Sequence, residues 1–372
     1  ACATAALVSL VIVGVRRGDD DQNQADALLR SAAVEGSSLE RKVAYDGAEV
    51  CDAKGYSKTT LKTAFEAPFF AMFRDQKGEK KFEASDVIRL DDNYYYAICD
   101  NSWAIHKFRA DFAPYNEDNK LIGDPKREDE DSGYEAIFHD DGIFFVVRES
   151  VQHEEHGGAY FAIVEELTIN DDEIDYEIED ACRVDFEFEG DSKGFEGAIG
   201  LKDKDGKLFF IGLCEGNGCA EGDAGKDKGH GKIVIASKGT DGDGKCLWTT
   251  EKTLPIPRSA YFQDYSAIAM RADGTVAISS QENAQVWVGK FKLADDGFFA
   301  LDVAEFDDDV GEVYDFPRSV DGCSVEYCNV EGIHFTDNDR LLLAVSDKMK
   351  SRGKQNYKCL GKDQSAHVFS LP

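Results

Sequence analysis

Five short phrases recur along the chain: KFEASDV at 81–87, GYEAIFH at 133–139, GFEGAIG at 194–200, DYSAIAM at 264–270 and NVEGIHF at 329–335. Glu83, Glu135, Glu196 and Glu331 hold the same place in four of them, and Ser266 holds it in the other. One strand and turn later a second set recurs: Asp100, Glu149, Glu215, Gln281 and Asp347. Two unit charges about 4 Å apart repel by roughly 4 kcal/mol at an effective dielectric of about 20, so gathered carboxylates must take up protons or a cation. Calcium accepts about six to eight oxygen ligands in flexible geometry, which suits such a ring better than zinc does. The first set is therefore expected to ligate calcium, with the second set around it. The same acids could instead accept hydrogen bonds from backbone amides of neighbouring units, stitching them without metal. His139 and His334, next to or within the phrases, are candidate general bases near neutral pH.

Both sets can meet only if the elements between them fold back. Each phrase opens a short apolar strand and leads to a turn rich in Asp, Asn and Gly, such as HDDG at 139–142 or ADG at 272–274. A second apolar strand follows, for example IFFVVR or KLFFIGLC, then a third and a more variable fourth. Asp-Gly between β-rich runs predicts a hairpin, and a hairpin with equal arms returns the end of its second strand to the start of its first. Four antiparallel strands repeated along a chain predict the blades of a β-propeller.

The fold class expected is all-β, a single propeller with five repeats counted, and residues 60–80 leave room for a degenerate sixth. Too few residues follow the last phrase for four strands. An N-terminal strand, ERKVAYDGAEV at 40–50, is expected to complete that blade and hide two sheet edges. Residues 37–372 form the expected propeller, with 18–36 a polar linker. Residues 1–17 resemble a signal-peptide or signal-anchor core, whose apolar run is shorter than the roughly 20 residues of a membrane span.

The 372 residues carry 73 acidic and 42 basic side chains, a formal charge of −31. That balance excludes nucleic acid as a partner, since phosphate binding needs positive potential. A membrane is reachable only through the N-terminal segment. Ten cysteines favour a secreted or lumenal location. The C-x4-C pairs Cys214/Cys219 and Cys323/Cys328 are expected as small disulfide loops, because zinc sites use closer spacing with a second pair. The glycine-rich run 215–232 lacks the phosphate-loop order and is expected to be a lid or recognition loop.

The phrases GFEGAIG, DYSAIAM and CNVEGIHF, with the later LCEGN, SSQEN and AVSDK, resemble those of the SdiA-regulated-domain and phytase-like esterase propellers. The resemblance covers about residues 80–372 and implies a propeller with a cation in its tunnel, but no catalytic set. Glu stands here where Ser is common in those families. Two functions are therefore expected to compete. One is an exported or surface-anchored binding or scaffold module, taking a protein, a glycan or a small anionic ligand through a bound calcium. The other is a calcium-dependent hydrolase of esterase, lactonase or phytase-like type.

Overall fold

The computed structural model describes residues 59–372 except 91–92, 128–129, 192, 221, 320–324, 337–339, 350–358 and 360. The described chain starts with strand β1 (Lys62–Pro68) and a single helical turn, Phe69–Met72. The first blade is β2 (Ala84–Arg89), β3 (Tyr94–Cys99), β4 (Ser102–Arg109) and β5 (Lys120–Ile122). The second is β6 (Tyr134–Asp140), β7 (Ile143–His153), β8 (Ala159–Asn170) and β9 (Asp175–Phe188). The third is β10 (Phe195–Lys202), β11 (Leu208–Cys214), β12 (Lys232–Thr240) and β13 (Cys246–Pro255). The fourth is β14 (Ala267–Met270), β15 (Thr275–Ser280), β16 (Gln285–Phe291) and β17 (Phe306–Asp315). The fifth is β18 (Val330–Phe335), β19 (Leu341–Ser346) and β20 (Ser365–Ser370), completed by β1.

The phrases open β2, β6, β10, β14 and β18, and these innermost strands touch one another in succession, β18 returning to β2. The second strands of the first, third, fourth and fifth blades are buried almost throughout, as in Leu208–Cys214, because both of their faces meet neighbouring blades. Outer strands such as β9 alternate exposed and covered residues. Five apolar cores result, one at each blade junction. Trp103, Trp248 and Trp287 are fully buried in them.

An N-terminal strand closes the ring, but it is β1 that occupies the outer position, paired from Lys62↔Ser370 to Pro68↔Ser365. Residues 40–50 lie outside the described residues. No sixth blade is hidden in 60–80, because that stretch is spent on β1 and the helical turn. Its place is set by distant partners: Leu61 N–H donates to Asp315 O, Phe69 N–H to Gln364 O, and the Tyr327 hydroxyl to Glu66 at 2.7 Å. Blades two and three are joined as well, by a short parallel pairing of β9 with β13 at Arg183↔Leu247 and by the Cys182–Cys246 disulfide.

Cys214 and Cys219 pair as expected. Cys328 bonds Cys359 rather than Cys323, which lies outside the described residues. Cys99 is a buried free thiol whose Sγ lies 3.4 Å from His106 Nδ1. Burial pushes the thiol up and holds the imidazole down at about 3, so the pair is packed in its neutral form.

Candidate metal centre at the channel mouth

Backbone pairing brings both sets of residues to one end of the blades. Asp100 N–H donates to Glu83 O, Glu149 N–H to Gly133 O, Glu215 N–H to Gly194 O and Asp347 N–H to Asn329 O. Four of the inner strands carry a β-bulge just there, between Ala84/Asp86, Tyr134/Ala136, Phe195/Gly197 and Val330/Gly332. A bulge inserts one unpaired residue and re-aims its side chain. The inserted residues are Ser85, Glu135, Glu196 and Glu331. The register therefore puts Ser85 level with the three glutamates, and Glu83 two residues outside it. Glu83 is instead paired with Lys81. In the fourth blade Ser266 stands just before β14, its Oγ donating to Val330 O at 2.9 Å.

In the third and fifth blades the residue after the bulge is glycine for its own reason. A Cβ on Gly197 would lie 2.7 Å from Ile268 N, and one on Gly332 would lie 2.6 Å from Asp86 Cα. Adjacent inner strands approach too closely there for a side chain. The recurring acid-then-small pair thus encodes one bulge and one close contact.

Glu135 is 7% exposed and its carboxylate has no hydrogen-bond or ion-pair partner among the described residues. Burial drives it well above the usual carboxylate range, reinforced by Glu196, Glu149, Asp100 and Glu331. A side chain that senses acids from the first, second, third and fifth blades stands near the axis. Glu196 is displaced upward in the same way, by burial and then by Glu215 and Glu149. Burial, with Asp347 and Glu83, pushes Asp100 up to about 7, and its Oδ1 is buried without a partner. Ser85 Oγ is likewise buried and unpartnered. The outer set is partly compensated, since Lys193 pairs with Glu215 at 2.9 Å.

Two residues here escaped the sequence reading. Ser85 was hidden because the repeat aligns on Glu83 until the bulge shifts the register. Asp264 begins the one phrase that lacks an acid in second place, which was the available signal. Burial lifts it to about 6, while Ser280 Oγ and Glu282 N–H donate to it. It lines a cavity of about 190 Å3 beside the ring, together with Glu196, Gln281 and the loop residues Gly216 and Lys226. The run 215–232 therefore does border the mouth.

Backbone links between neighbouring inner strands are also made by other residues. Asp86 Oδ2 accepts from Ile137 N–H at 3.0 Å, joining the first blade to the second, and Ser266 joins the fourth to the fifth.

His139 and His334 do not reach this mouth. His139 pairs with Phe144 beside the β6–β7 turn, and His334 with Leu343. At about 3.3 Å per residue they stand roughly 10 Å beyond the bulges. Between lies an apolar belt of Val87, Ile137, Ala198, Ile268 and Ile333, part of an axial cavity of about 510 Å3. Burial also holds His334 down at about 4, with Arg89 adding to the effect. Neither imidazole can serve as a base for chemistry at the carboxylates.

Elsewhere Glu166, Asp180, Cys182 and Cys246 bring possible ligand atoms within 4.8 Å of one another. Disulfide formation ties up both sulfurs, and Lys238 lies 2.5 Å from Glu166 and 3.8 Å from Asp180. With the disulfide formed, this group is an ion-paired cross-link.

No family model matches the chain, and no curated protein matches it. Solved structures that resemble it are β-propeller-type proteins. One is the PQQ-bound aldose sugar dehydrogenase of Streptomyces coelicolor, at 11% identity and TM-score 0.44, covering 82% of this chain and 98% of that one. Another is an endo-arabinase from Bacteroides thetaiotaomicron, at 11% identity and TM-score 0.38, covering 82% and 97%. A third is the glutaminyl cyclase of Myxococcus xanthus, at 9% identity and TM-score 0.38, covering 85% and 99%.

Proposed function

We propose that this is an exported, acidic β-propeller that binds its ligand through a calcium ion at the carboxylate mouth of the channel. The observation that carries the reading is Glu135, a buried carboxylate without a partner among other acids. An uncompensated buried charge costs several kcal/mol, whereas a divalent cation turns the repulsion into coordination. Glu135, Glu196 and Glu331 supply the anionic oxygens, and Ser85 Oγ and Asp100 Oδ1 two further ones. Gln281 and Ser266 put neutral side chains where the other blades carry acids, and on that side a hydroxylated or anionic group of a ligand completes the ion's coordination.

Binding rather than turnover is favoured because both histidines lie beyond the apolar belt. The hydrolase reading would need a base drawn from the carboxylates themselves. Three disulfides fit an extracellular location. Among the described residues no helix is long and apolar enough to cross a membrane.

Calorimetric unfolding with chelator and with calcium tests the proposal. At free calcium about 100 times the dissociation constant, the ion adds about 2.7 kcal/mol. That raises the melting temperature of a chain this size by a few degrees. A melting curve unmoved by calcium, with no heat of binding, removes the metal. Turnover of aryl esters, lactones or phosphomonoesters that chelator abolishes and calcium restores would replace the binding module with the hydrolase.

A further inference from the structure

The outer parts of the third and fourth blades enclose a groove of about 890 Å3, bordered on one side by Gly218 and residues 227–232. Its charge runs against the composition of the chain. Where acids outnumber bases 73 to 42, the lining holds Lys228, Lys232 and Arg258 against two acids, Asp227 and Asp308. Asp227 already faces His230 at 3.4 Å, and Lys232 Nζ donates to Gly218 O. Lys228 and Arg258 form no ion pair among the described residues. Two unpaired cations in one groove of so acidic a protein call for an anion from outside.

A second feature is independent of charge. Tyr261 is 62% exposed, although it belongs to the groove wall. Gly229, at φ +79, packs against its ring so closely that a Cβ would lie 2.4 Å from Cδ2. Gly229 thus lets the loop back the Tyr261 ring, which remains largely exposed in the groove lining. Its neighbours are hydroxyls with hydrogen-bonding capacity to spare. Ser259 Oγ accepts from Trp287 Nε1 at 3.0 Å and keeps its own hydrogen, and Thr253, also in the lining, is exposed.

The groove is also held in shape. Asn217 accepts from His230 N–H and donates to Gln263 O, each at 2.7 Å, and the Cys214–Cys219 disulfide closes the start of the loop. Preorganisation of this kind reduces the ordering cost of binding.

We propose that this groove binds an acidic saccharide, its ring stacked on Tyr261 and its carboxylate or sulfate held by Arg258 and Lys228. The volume lies in the small-molecule range of about 300–1,000 Å3. A flat apolar wall with a polar rim suits a ring that has one C–H face and hydroxyls at its edge. An aromatic acid would use the tyrosine and the cations but would offer no hydroxyls to the Ser259 and Thr253 side chains that also line the groove. Arg258 engages a planar carboxylate through two parallel N–H donors.

Isothermal titration with the full chain, in chelator so that no cation acts at the channel mouth, tests this. Digalacturonate and galactose 6-sulfate are the acidic probes; neutral galactobiose and inorganic sulfate are the controls. At least one acidic sugar should bind, more weakly as salt rises. Arg258→Gln with Lys228→Gln, and Tyr261→Ala separately, should each weaken it by about tenfold or more, equivalent to about 1.4 kcal/mol. The relative strength of the two acidic probes assigns carboxylate or sulfate. Absence of binding by both overturns the proposal, as does equal binding of galactobiose. Equal binding of inorganic sulfate, or undiminished binding by Tyr261→Ala, reduces the groove to an anion patch and overturns the saccharide. All three side chains are exposed, so circular dichroism of the variants should match that of the parent.

Discussion

Glu135 and Asp86 stand one residue apart in the aligned register of neighbouring inner strands, and both are buried acids. Their surroundings give opposite predictions. Asp86 accepts N–H bonds from Ile137 and Val87, whereas Glu135 accepts none among the described residues. Asp86→Ala should strand the Ile137 N–H and cost about 1–3 kcal/mol, with calcium or without it. Glu135→Gln should leave the protein at least as stable as the parent in chelator, since it removes repulsion. It should also abolish most of the calcium-induced rise in melting temperature. Scanning calorimetry of both variants, each with and without calcium, reads the contrast. Equal destabilisation by Glu135→Gln in both conditions would make that residue a stitch instead of a ligand.

At the scale of elements, one side chain tunes the hold on the closing strand. Glu66 on β1 is held down at about 2, chiefly by His367 with Lys362 and the Tyr327 hydroxyl, against the opposing effect of burial. A carboxylate whose folded value is depressed stabilises above its unfolded value, near 4, and loses that contribution as pH falls toward 2. Its side chain is 36% exposed, so solvent screening limits the effect to about 1 kcal/mol. Glu66→Gln should lower the melting temperature by about 2 °C at pH 7 and by progressively less below pH 4. A thermal-unfolding series across that range decides it, and a difference that persists undiminished at pH 2 would contradict the assignment. Deleting 59–68 has a larger consequence: β20 becomes an unpaired edge, and light scattering should report association.

For the whole molecule, the ring of blades is locked sideways by the Cys182–Cys246 bond, which spans 64 residues between the outer strands of two blades. The chain-entropy model assigns a loop of that length about 4 kcal/mol. Replacing both cysteines by serine should lower the melting temperature by several degrees without changing the β-rich circular dichroism spectrum. An unchanged melting temperature would show that the parallel β9–β13 pairing alone holds the two blades. Charge acts on the same scale. A net −31 concentrates cations around the protein, which assists metal capture at the mouth.

Periodicity made the blades legible before any coordinates. Short apolar runs, Asp-Gly turns and a phrase repeated five times are local signals, and each blade is a local unit of consecutive strands. The same locality placed Asp100, Glu149, Glu215, Gln281 and Asp347 beside the phrase starts, because a hairpin returns its second strand to the start of its first. Three decisions needed the folded chain. Ser85 took the place assigned to Glu83, because a bulge moves the register by an amount that only the pairing of β2 with β3 reveals. Lys62–Pro68, rather than 40–50, completed the last blade, since both stretches have β character and the choice rests on contacts with residues some 260–300 positions away. His139 and His334 went to the far end of the channel, because the direction of an inner strand along the axis separates residues that are neighbours in the chain.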